Sequence, residues 1–305
     1  MDLSNMQGQI WLDGKWTEWS EAKVHVLTHT LHYGVGVFEG VRAYASDKGA
    51  SIFRLKDHTD RLFSSAKTVN LPMNFSKDEF NKAQIEVLQI NNLKEAYIRP
   101  MCFYGSEGMG LRADNLKVHS LVAAWEWPSY MSPGAAEKGI KVKISKYKRQ
   151  VRNPVSSAKV NGNYVNSIVA LNEVLAEGYD ETLMLDYEGY VAEGSGENFF
   201  IAQDGVLHTP DLDACLDGIT RKSIIKIASG LGFETVVRKI LPNEIANIDE
   251  AFFTGTAAEV VPIRSIDDMR VGSGKRGPIT EILQQTYHQQ VRGLRSEFQE
   301  WHTYV

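Results

Sequence analysis

Hydrophobic and polar residues alternate along the first part of the chain in a pattern that predicts strands joined by tight turns. The stretch QIWLDGKWTEW predicts a hairpin that turns at Asp13 and Gly14, and VFEGVRAYAS and SIF predict further strands. The period then lengthens to that of an amphipathic helix in LKDHTDRLFSSAKTVN. Ser76 and Glu79 form a capping box that begins a second helix, and the strands AYIRPMCFY and KVHSLVAAWEW follow.

The second part of the chain mixes strands and helices without a strict βαβ rhythm. IKVKISKYK alternates like a half-buried strand, and GNYVNSIVALNEVLAEG is typical of a helix. A run of short strands follows, with turns at Glu188-Gly189 and Asp204-Gly205. GITRKSIIKIASGLG then predicts a helix with Thr220 as its N-cap, and GPITEILQQTYHQQVRG predicts a final helix.

These elements favour an α+β fold over a doubly wound sheet, because strands and helices do not alternate regularly. The segment 129–138, rich in proline, glycine and small residues, is the predicted linker. We therefore expect a smaller α+β domain at 1–128 and a larger one at 139–305, which would carry Lys159.

Composition and charge exclude several classes of function. Of the 305 residues, 43% are hydrophobic and 23% are charged, as in ordinary globular proteins, and the net charge is -5. This charge offers no basic surface to nucleic acid or to an anionic membrane, and no apolar run is long enough to span a bilayer. The start of the chain has no secretory pattern, and Cys102 and Cys215 lack the spacing of a disulfide or metal site, so we expect a cytoplasmic protein.

Lys159 is the candidate for covalent chemistry. It is the only charged residue between Arg152 and Glu173, and it lies in the small, neutral stretch SSAKVNGNYVNSI. Neutral surroundings disfavour the charged form of a lysine, which leaves the free amine available as a nucleophile for a Schiff base. On local composition alone an exposed loop lysine is the commoner explanation, so other residues have to decide.

Several further residues suit a flat, phosphorylated cofactor. Glu193, in the glycine-rich YVAEGSGENFF, could keep a pyridine nitrogen protonated, although a turn glutamate is the simpler explanation. Thr220 at a helix N-terminus, Thr256 in the turn TGTAAE and Arg61 on its helix are suited to a phosphate. A helix cap, a tight turn and a surface arginine are the alternative explanations of these three.

Tyr97 and Arg99 lie two residues apart in a predicted strand and therefore share one face. An arginine beside a tyrosine is suited to a carboxylate, and a solvated strand face explains the pair equally well. The aromatic residues of HYGVGVFEGVRAY and of the linker region belong either to the core or to the wall of a pocket.

Taken together, the motifs resemble those of the fold type IV pyridoxal-phosphate enzymes and, within them, the branched-chain amino acid aminotransferases. The resemblance runs from about Ile10 to about Val291, with the motifs in the order HYGVGVFEGVRAY, DHTDRL, YIRP, GMGLRADN, AKVNGNYVNS, EGSGENFF, LDGITR and FFTGTAAEVVPIRS. It implies the two-domain α+β fold of that family, pyridoxal 5'-phosphate as cofactor, no metal, and a homodimer or dimer-based homo-oligomer. The implied reaction moves an amino group between branched-chain L-amino acids (Leu, Ile, Val) and 2-oxoglutarate, giving branched-chain 2-oxo acids and L-glutamate.

The resemblance also implies a role for each cofactor-binding candidate. Lys159 would form the Schiff base and move the proton of the substrate Cα, Glu193 would pair with the pyridine nitrogen, and Tyr164 would contact the phenolic oxygen. The groups that would bind the phosphate are Arg61, Ile219, Thr220 and Thr256.

The substrate-binding candidates follow in the same way. The amides of Thr256 and Ala257 would bind the α-carboxylate, and Tyr97 and Arg99 would accept the distal carboxylate of glutamate. The apolar side chain of the substrate would be enclosed by Phe38, Gly40, Trp127 and Tyr130. Tyr33, Met109 and Leu111 would reach across a dimer interface.

Other enzymes of the same fold are the alternatives. YIRP and FEGVRAY argue against a D-amino acid aminotransferase, and an apolar pocket with an arginine argues against aminodeoxychorismate lyase, while an amine transaminase stays open. A non-catalytic relative would be expected to lack Lys159 or Glu193, and both are present.

Overall fold

The structure is a computed structural model that describes residues 2–112, 114–127, 134–149 and 153–305. The chain forms two compact units. The first consists of Met1–Pro128, Ala158–Asn163 and Gln290–Val305, and the second of Ser129–Ser157 and Tyr164–Gln289. The first unit thus includes two segments that the predicted division assigns to the larger domain, and one of them carries Lys159. Residues 129–133 of the predicted linker lie outside the described residues.

An antiparallel sheet is the framework of the first unit. Its strands are β1 (Gln9–Leu12), β2 (Lys15–Glu18), β3 (Gly36–Phe38), β4 (Val41–Ser46), β5 (Gly49–Phe53), β6 (Ala96–Tyr104), β7 (Val118–Trp125) and, near the C-terminus, β16 (His302–Tyr304). Over the described residues the strand order is β16, β5, β4, β6, β7, β1, β2, and β3 pairs with β6. Asp13 and Gly14 both have positive φ, which confirms the predicted tight turn between β1 and β2.

The helices of the first unit are α1 (His29–Tyr33), α2 (Leu55–Thr68) and α3 (Lys77–Ile90). Leu62 of α2 and Phe80 and Val87 of α3 are fully buried, so the apolar stripes of both helices face the core that the sheet closes. The side chains and backbone N–H groups of Ser76 and Glu79 bond reciprocally, which confirms the predicted capping box. The periodicity therefore predicted α2 and α3 correctly, whereas α1 was not predicted and the stretch VFEGVRAYAS contains two strands, β3 and β4.

The second unit is built on a mixed sheet. Its strands are β8 (Ile140–Ile144), β9 (Glu181–Leu183), β10 (Asn198–Gln203), β11 (Val206–Thr209), β12 (Thr235–Val237), β13 (Glu250–Gly255), β14 (Glu259–Ile266) and β15 (Met269–Arg270). Over the described residues the order is β12, β11, β10, β13, β14, β8, β9, and β15 pairs with β14. The pairs β8–β9, β8–β14 and β11–β12 are parallel, whereas the others are antiparallel, and this mixture confirms the α+β class.

The helices of the second unit are α4 (Ala135–Lys138), α5 (Tyr164–Ala176), α6 (Ile219–Gly230) and α7 (Pro278–Val291), of which the last two residues belong to the first unit. The predicted N-cap of α6 is wrong, because the cap residue is Gly218 and Thr220 is the second helical residue. A Cβ at residue 218 would overlap the Asn198 side-chain oxygen, so glycine is the residue that can begin the helix there. None of the described helices has the length and apolar character needed to cross a membrane.

The C-terminal residues complete the first unit, a role that the sequence did not predict. Strand β16 pairs with β5, and Trp301 just before it is buried, with its ring stacked 4.2 Å from that of Phe298. The Trp301 carbonyl accepts a hydrogen bond from the N–H of Arg54, the residue that precedes α2. The edge of the sheet at β5 is therefore covered by a distant part of the chain.

Candidate active site

The backbone of Lys159 is hydrogen-bonded to two elements of the first unit. Its N–H donates to the Ser65 hydroxyl of α2 at 3.0 Å, and its carbonyl accepts from the Phe38 N–H at 3.3 Å. Val160 next to it bridges to Val37 of β3. The ammonium nitrogen lies 4.9 Å from the centroid of the Phe38 ring. The backbone on both sides of the lysine is thus fixed while its side chain lies over an aromatic face.

Arg61 pairs with a buried carboxylate that the sequence analysis did not single out. Its Nε and Nη2 donate to the two oxygens of Glu39 at 2.7 and 2.8 Å, and His58 Nδ1 lies 2.8 Å from the same carboxylate. Burial would raise the pKa of Glu39, which is fully buried, but Arg61 and His58 together hold it well below its ordinary value. Glu39 is therefore charged at neutral pH and fixes the guanidinium plane of Arg61.

Tyr97 and Arg99 lie together with Phe38. Arg99 Nη2 donates to the Tyr97 hydroxyl at 3.3 Å, and the guanidinium carbon lies 4.7 Å from the centroid of the Phe38 ring. A Cβ at Gly40 would overlap the Tyr97 hydroxyl, so this glycine makes room for the tyrosine. The Tyr97 ring lies 4.9 Å from that of Trp127. These residues form one aromatic wall that carries a guanidinium group.

Three further substrate-binding candidates lie in α1 and in the loop between β6 and β7. Tyr33 of α1 accepts a hydrogen bond from the Gly110 N–H at 3.1 Å, next to Met109 and Leu111. Both Met109 and Leu111 are exposed, with Leu111 at 89%. Tyr130 lies outside the described residues.

Glu193 is the centre of a second cluster, in the second unit. It is 4% exposed, and Arg149 donates to one of its oxygens through Nε at 2.8 Å and Nη2 at 2.6 Å. Its other oxygen accepts from the Leu216 N–H at 3.1 Å and from the Asn198 amide at 3.3 Å. Burial would lower the pKa of Arg149, but Glu193 and the neighbouring Tyr164 raise it above its ordinary value. The guanidinium charge in turn favours the ionised form of Glu193.

Two anion-binding features adjoin this cluster through Asn198. Asn198 pairs across the β10–β13 ladder with Thr254, which precedes the turn that carries Thr256 and Ala257. The side-chain amide of Asn198 donates to the Leu216 carbonyl. Helix α6 begins three residues after Leu216, with Ile219 and Thr220 as its first two residues, and its cap residue Gly218 makes no side-chain hydrogen bond. The Thr254 hydroxyl is buried without a hydrogen-bond partner among the described residues. A helix N-terminus without a side-chain cap and a buried hydroxyl without a partner among the described residues are both suited to a phosphate group.

Sequence reasoning did not single out Glu39, His58 and Arg149. Glu39 and His58 lie inside the motifs FEGVRAY and DHTDRL, and the spacing of His58 and Arg61 by three residues already places both on one helix face. Arg149 lies in the basic stretch SKYKRQVR, which is typical of a solvated surface and gave no such signal.

The comparisons with known proteins agree with the fold. The family model described as amino-transferase class IV matches residues 36–266. The chain therefore belongs to the class IV aminotransferases.

Its similarity to individual members is more specific. The chain is 54% identical to the branched-chain-amino-acid aminotransferase of Pseudomonas aeruginosa over the full length of both, and 42% identical to that of Escherichia coli K12 over 91% of each. Its fold matches the crystal structure of the T.th. branched-chain amino acid aminotransferase with pyridoxamine 5'-phosphate at a TM-score of 0.95 and 43% identity, covering 98% of this chain and 99% of the other.

Proposed function

We propose that the protein is a pyridoxal 5'-phosphate-dependent aminotransferase that acts on branched-chain L-amino acids and 2-oxoglutarate. The observation that carries the proposal is the environment of Arg99. This guanidinium lies against Phe38 and Tyr97, and no carboxylate pairs with it among the described residues. An aromatic wall that carries the Arg99 guanidinium suits both an aliphatic side chain and the distal carboxylate of glutamate, the two groups that one pocket must accept in turn.

The first unit contributes the reactive amine. We assign Lys159 as the residue that binds the cofactor and that takes the substrate Cα proton on its Nζ atom. Its N–H donates to the Ser65 hydroxyl and its carbonyl accepts from the Phe38 N–H, so the backbone from which that amine extends is held in a defined position. Arg61, oriented by Glu39, is the proposed phosphate-binding side chain of this unit.

The second unit contributes the groups suited to the cofactor ring and phosphate. When bound, pyridoxal 5'-phosphate supplies a protonated pyridine ring that withdraws electrons from the substrate Cα. We assign Glu193 to the ring nitrogen and Tyr164 to the phenolic oxygen. The amides of Ile219 and Thr220 and the Thr256 side chain are the proposed phosphate ligands, and the amides of Thr256 and Ala257 are proposed to bind the substrate α-carboxylate.

Three further proposals concern organisation. We propose that the two compact units are the two domains of the enzyme, joined near residues 129–138. We propose a homodimer or a dimer-based homo-oligomer, supported by the exposed apolar residues Leu31, Tyr33, Met109 and Leu111 of the first unit. We propose a cytoplasmic location, supported by Cys102 and Cys215, which are both free.

Absorption spectroscopy of the purified holoenzyme tests the function. L-Leucine and L-glutamate, added separately, should bleach the near-visible band of the bound cofactor, and 2-oxoglutarate should restore it. Bleaching by D-alanine alone would refute the proposal and indicate a D-specific enzyme. A band that neither L-amino acid changes would refute it as well.

A further inference from the structure

A pair of hydrogen bonds on the loop residue Gly110 is not explained by the proposed function. Gly110 lies in the loop between β6 and β7, between Met109 and Leu111. Its carbonyl oxygen lies 2.7 Å from His29 Nε2, and its N–H donates to the Tyr33 hydroxyl at 3.1 Å. Since a carbonyl oxygen only accepts, the imidazole carries its hydrogen on Nε2. Helix α1 therefore holds both backbone polar groups of one loop residue.

His29 is firmly built into the first unit. It is 2% exposed, and its ring centroid lies 4.5 Å from that of Tyr33 and 5.9 Å from that of Tyr104. Its N–H donates to the Gly105 carbonyl at 2.7 Å, at the base of the same loop. The next residue, Thr30, accepts a hydrogen bond from the Tyr104 N–H at 2.9 Å. The imidazole is thus a rigid anchor, because helix α1 is bonded to the end of β6.

The loop segment that this anchor holds is exposed. Met109 is 48% and Leu111 89% exposed, and the Arg112 side chain is 92% exposed. Gly110 has a φ of +96°, and a Cβ built there meets nothing within 4 Å. Within one chain the loop therefore gains little order from packing at Gly110, and the two hydrogen bonds from α1 carry most of the constraint that the chain itself supplies there.

We propose that His29 is a positioning residue for substrate binding, because it fixes Gly110 and thereby sets the positions of Met109 and Leu111. The inference rests on the proposed function, which assigns these two side chains and Tyr33 to the substrate site. A loop that is ordered in advance loses less conformational freedom when substrate binds. The contribution of His29 therefore falls on KM and leaves kcat nearly unchanged.

Three variants of the holoenzyme test the role of the imidazole. His29→Phe keeps a buried ring beside Tyr33 but has no donor for the Gly110 carbonyl. His29→Gln keeps a side-chain N–H of similar reach. His32→Phe places the same substitution on the exposed side of the same short helix and serves as the matched control. Each variant is assayed for kcat and KM with L-leucine and 2-oxoglutarate, and for the rate at which trypsin cleaves after Arg112.

For His29→Phe we expect KM to rise about tenfold for both substrates with kcat unchanged, which corresponds to one lost hydrogen bond. Tryptic cleavage after Arg112 should accelerate by about the same factor, since it reports on opening of the loop. His29→Gln should restore both quantities, and His32→Phe should leave both at the wild-type values. Wild-type KM and cleavage rate in His29→Phe, or equal changes in His32→Phe, would overturn the proposal.

Hydrogen exchange of the wild-type protein keeps the test independent of whether a variant folds. The Gly110 N–H should exchange more slowly than that of Gly108 in the same loop, and equal rates would overturn the proposal. The cleavage and exchange assays need no substrate. A wild-type protein that does not transaminate would refute the proposed function, whereas an unprotected Gly110 N–H in an active enzyme would refute the role of His29 alone.

Discussion

Two buried glutamate–arginine pairs, one in each unit, use the same groups in opposite ways. In the first unit Arg61 is the group proposed to bind the cofactor, and fully buried Glu39 holds it from behind. In the second unit Glu193 is the proposed functional group, and Arg149 supports it. The carboxylate is the proposed support in one pair and the proposed functional group in the other. A buried ion pair alone therefore does not reveal which partner acts on the ligand.

Arg99 differs from Arg61 and Arg149, because it is not paired with a glutamate among the described residues. It donates to the Tyr97 hydroxyl, its Nε is buried without a hydrogen-bond partner, and no carboxylate pairs with it among the described residues. A guanidinium without an internal counter-ion is suited to a carboxylate that arrives with the substrate. On these assignments Arg61 is a ligand-binding group held by a carboxylate, and Arg149 is a support for a carboxylate. Arg99 is a ligand-binding group that no carboxylate holds among the described residues.

The largest effect is expected for Glu193→Gln. The amide preserves the shape of the side chain but removes the charge proposed to face the ring nitrogen and leaves Arg149 without its counter-ion. We expect kcat to fall by about 10²–10³-fold, the range found when one preorganised electrostatic partner is lost. Steady-state kinetics at saturating cofactor check this, with unchanged cofactor content as the control. A variant with wild-type kcat would remove Glu193 from the functional side of the comparison.

Arg99→Ala should produce the next largest effect, and it should affect one substrate. We expect KM for L-glutamate and 2-oxoglutarate to rise about 30-fold or more, since a charge-assisted hydrogen bond is lost. KM for L-leucine should change less than about threefold, because the aliphatic side chain contacts the apolar wall. The two half-reactions are measured separately by rapid mixing. Equal losses in both would show that Arg99 is not the partner of the distal carboxylate.

Glu39→Gln should have a smaller effect, on cofactor affinity. The amide that replaces the carboxylate keeps one acceptor for Arg61 but loses the paired charge, so we expect pyridoxal 5'-phosphate to bind about tenfold more weakly to the apoenzyme. Spectral titration measures this. Glu250→Gln is the matched control, because Glu250 is also buried but accepts from backbone N–H groups at the start of α7. Weaker cofactor binding in both variants to the same degree would indicate a general loss of stability.

The smallest expected effect is a difference in the acid dependence of stability. Burial, with Arg61 and Lys159 nearby, lowers the pKa of His58 below its ordinary value of 6.5. Arg61 and His58 lower the pKa of Glu39 below 4.5 despite its burial. Below each ordinary value the unfolded chain binds a proton that the folded chain does not, so these groups make the protein less stable as the pH falls.

Urea unfolding at a series of pH values measures this dependence. In Glu39→Gln the loss of stability below pH 4.5 should be shallower than in the wild type, because the titrating carboxyl is absent. Identical curves for the two proteins below that pH would mean that Glu39 titrates normally and is not the charged support of Arg61.

Much of the fold could be predicted from the sequence, because hydrophobic period and turn residues act locally. The β1–β2 hairpin, helix α2 and the capping box of α3 are examples. The supporting residues of the site could not be predicted in this way. Arg149 lies in a stretch that is typical of a solvated surface, and 44 residues separate it from Glu193, so that only tertiary folding brings them together. The predicted roles of the site residues stay predictions until the variants above are measured.

The cap of α6 and strand β16 illustrate two other limits of sequence reasoning. Thr220 carries a hydroxyl that suits an N-cap, but the close approach of Asn198 requires glycine at residue 218 and moves the cap there. Strand β16 has only three residues, and its periodicity is too short to distinguish it from a loop. Its pairing partner β5 lies at the other end of the chain.

The discontinuous make-up of the first unit has a consequence for biosynthesis. During synthesis β5 emerges long before β16, its neighbour in the sheet, since 251 residues separate Ser51 from His302. The lysine-bearing segment 158–163 also appears after the main body of this unit has left the ribosome. Until then one edge of its sheet is open to pairing with other nascent chains. The edge of the sheet in the first unit is therefore closed only at the end of translation. Chaperone capture of premature-stop fragments should be strongest for those that lack β16.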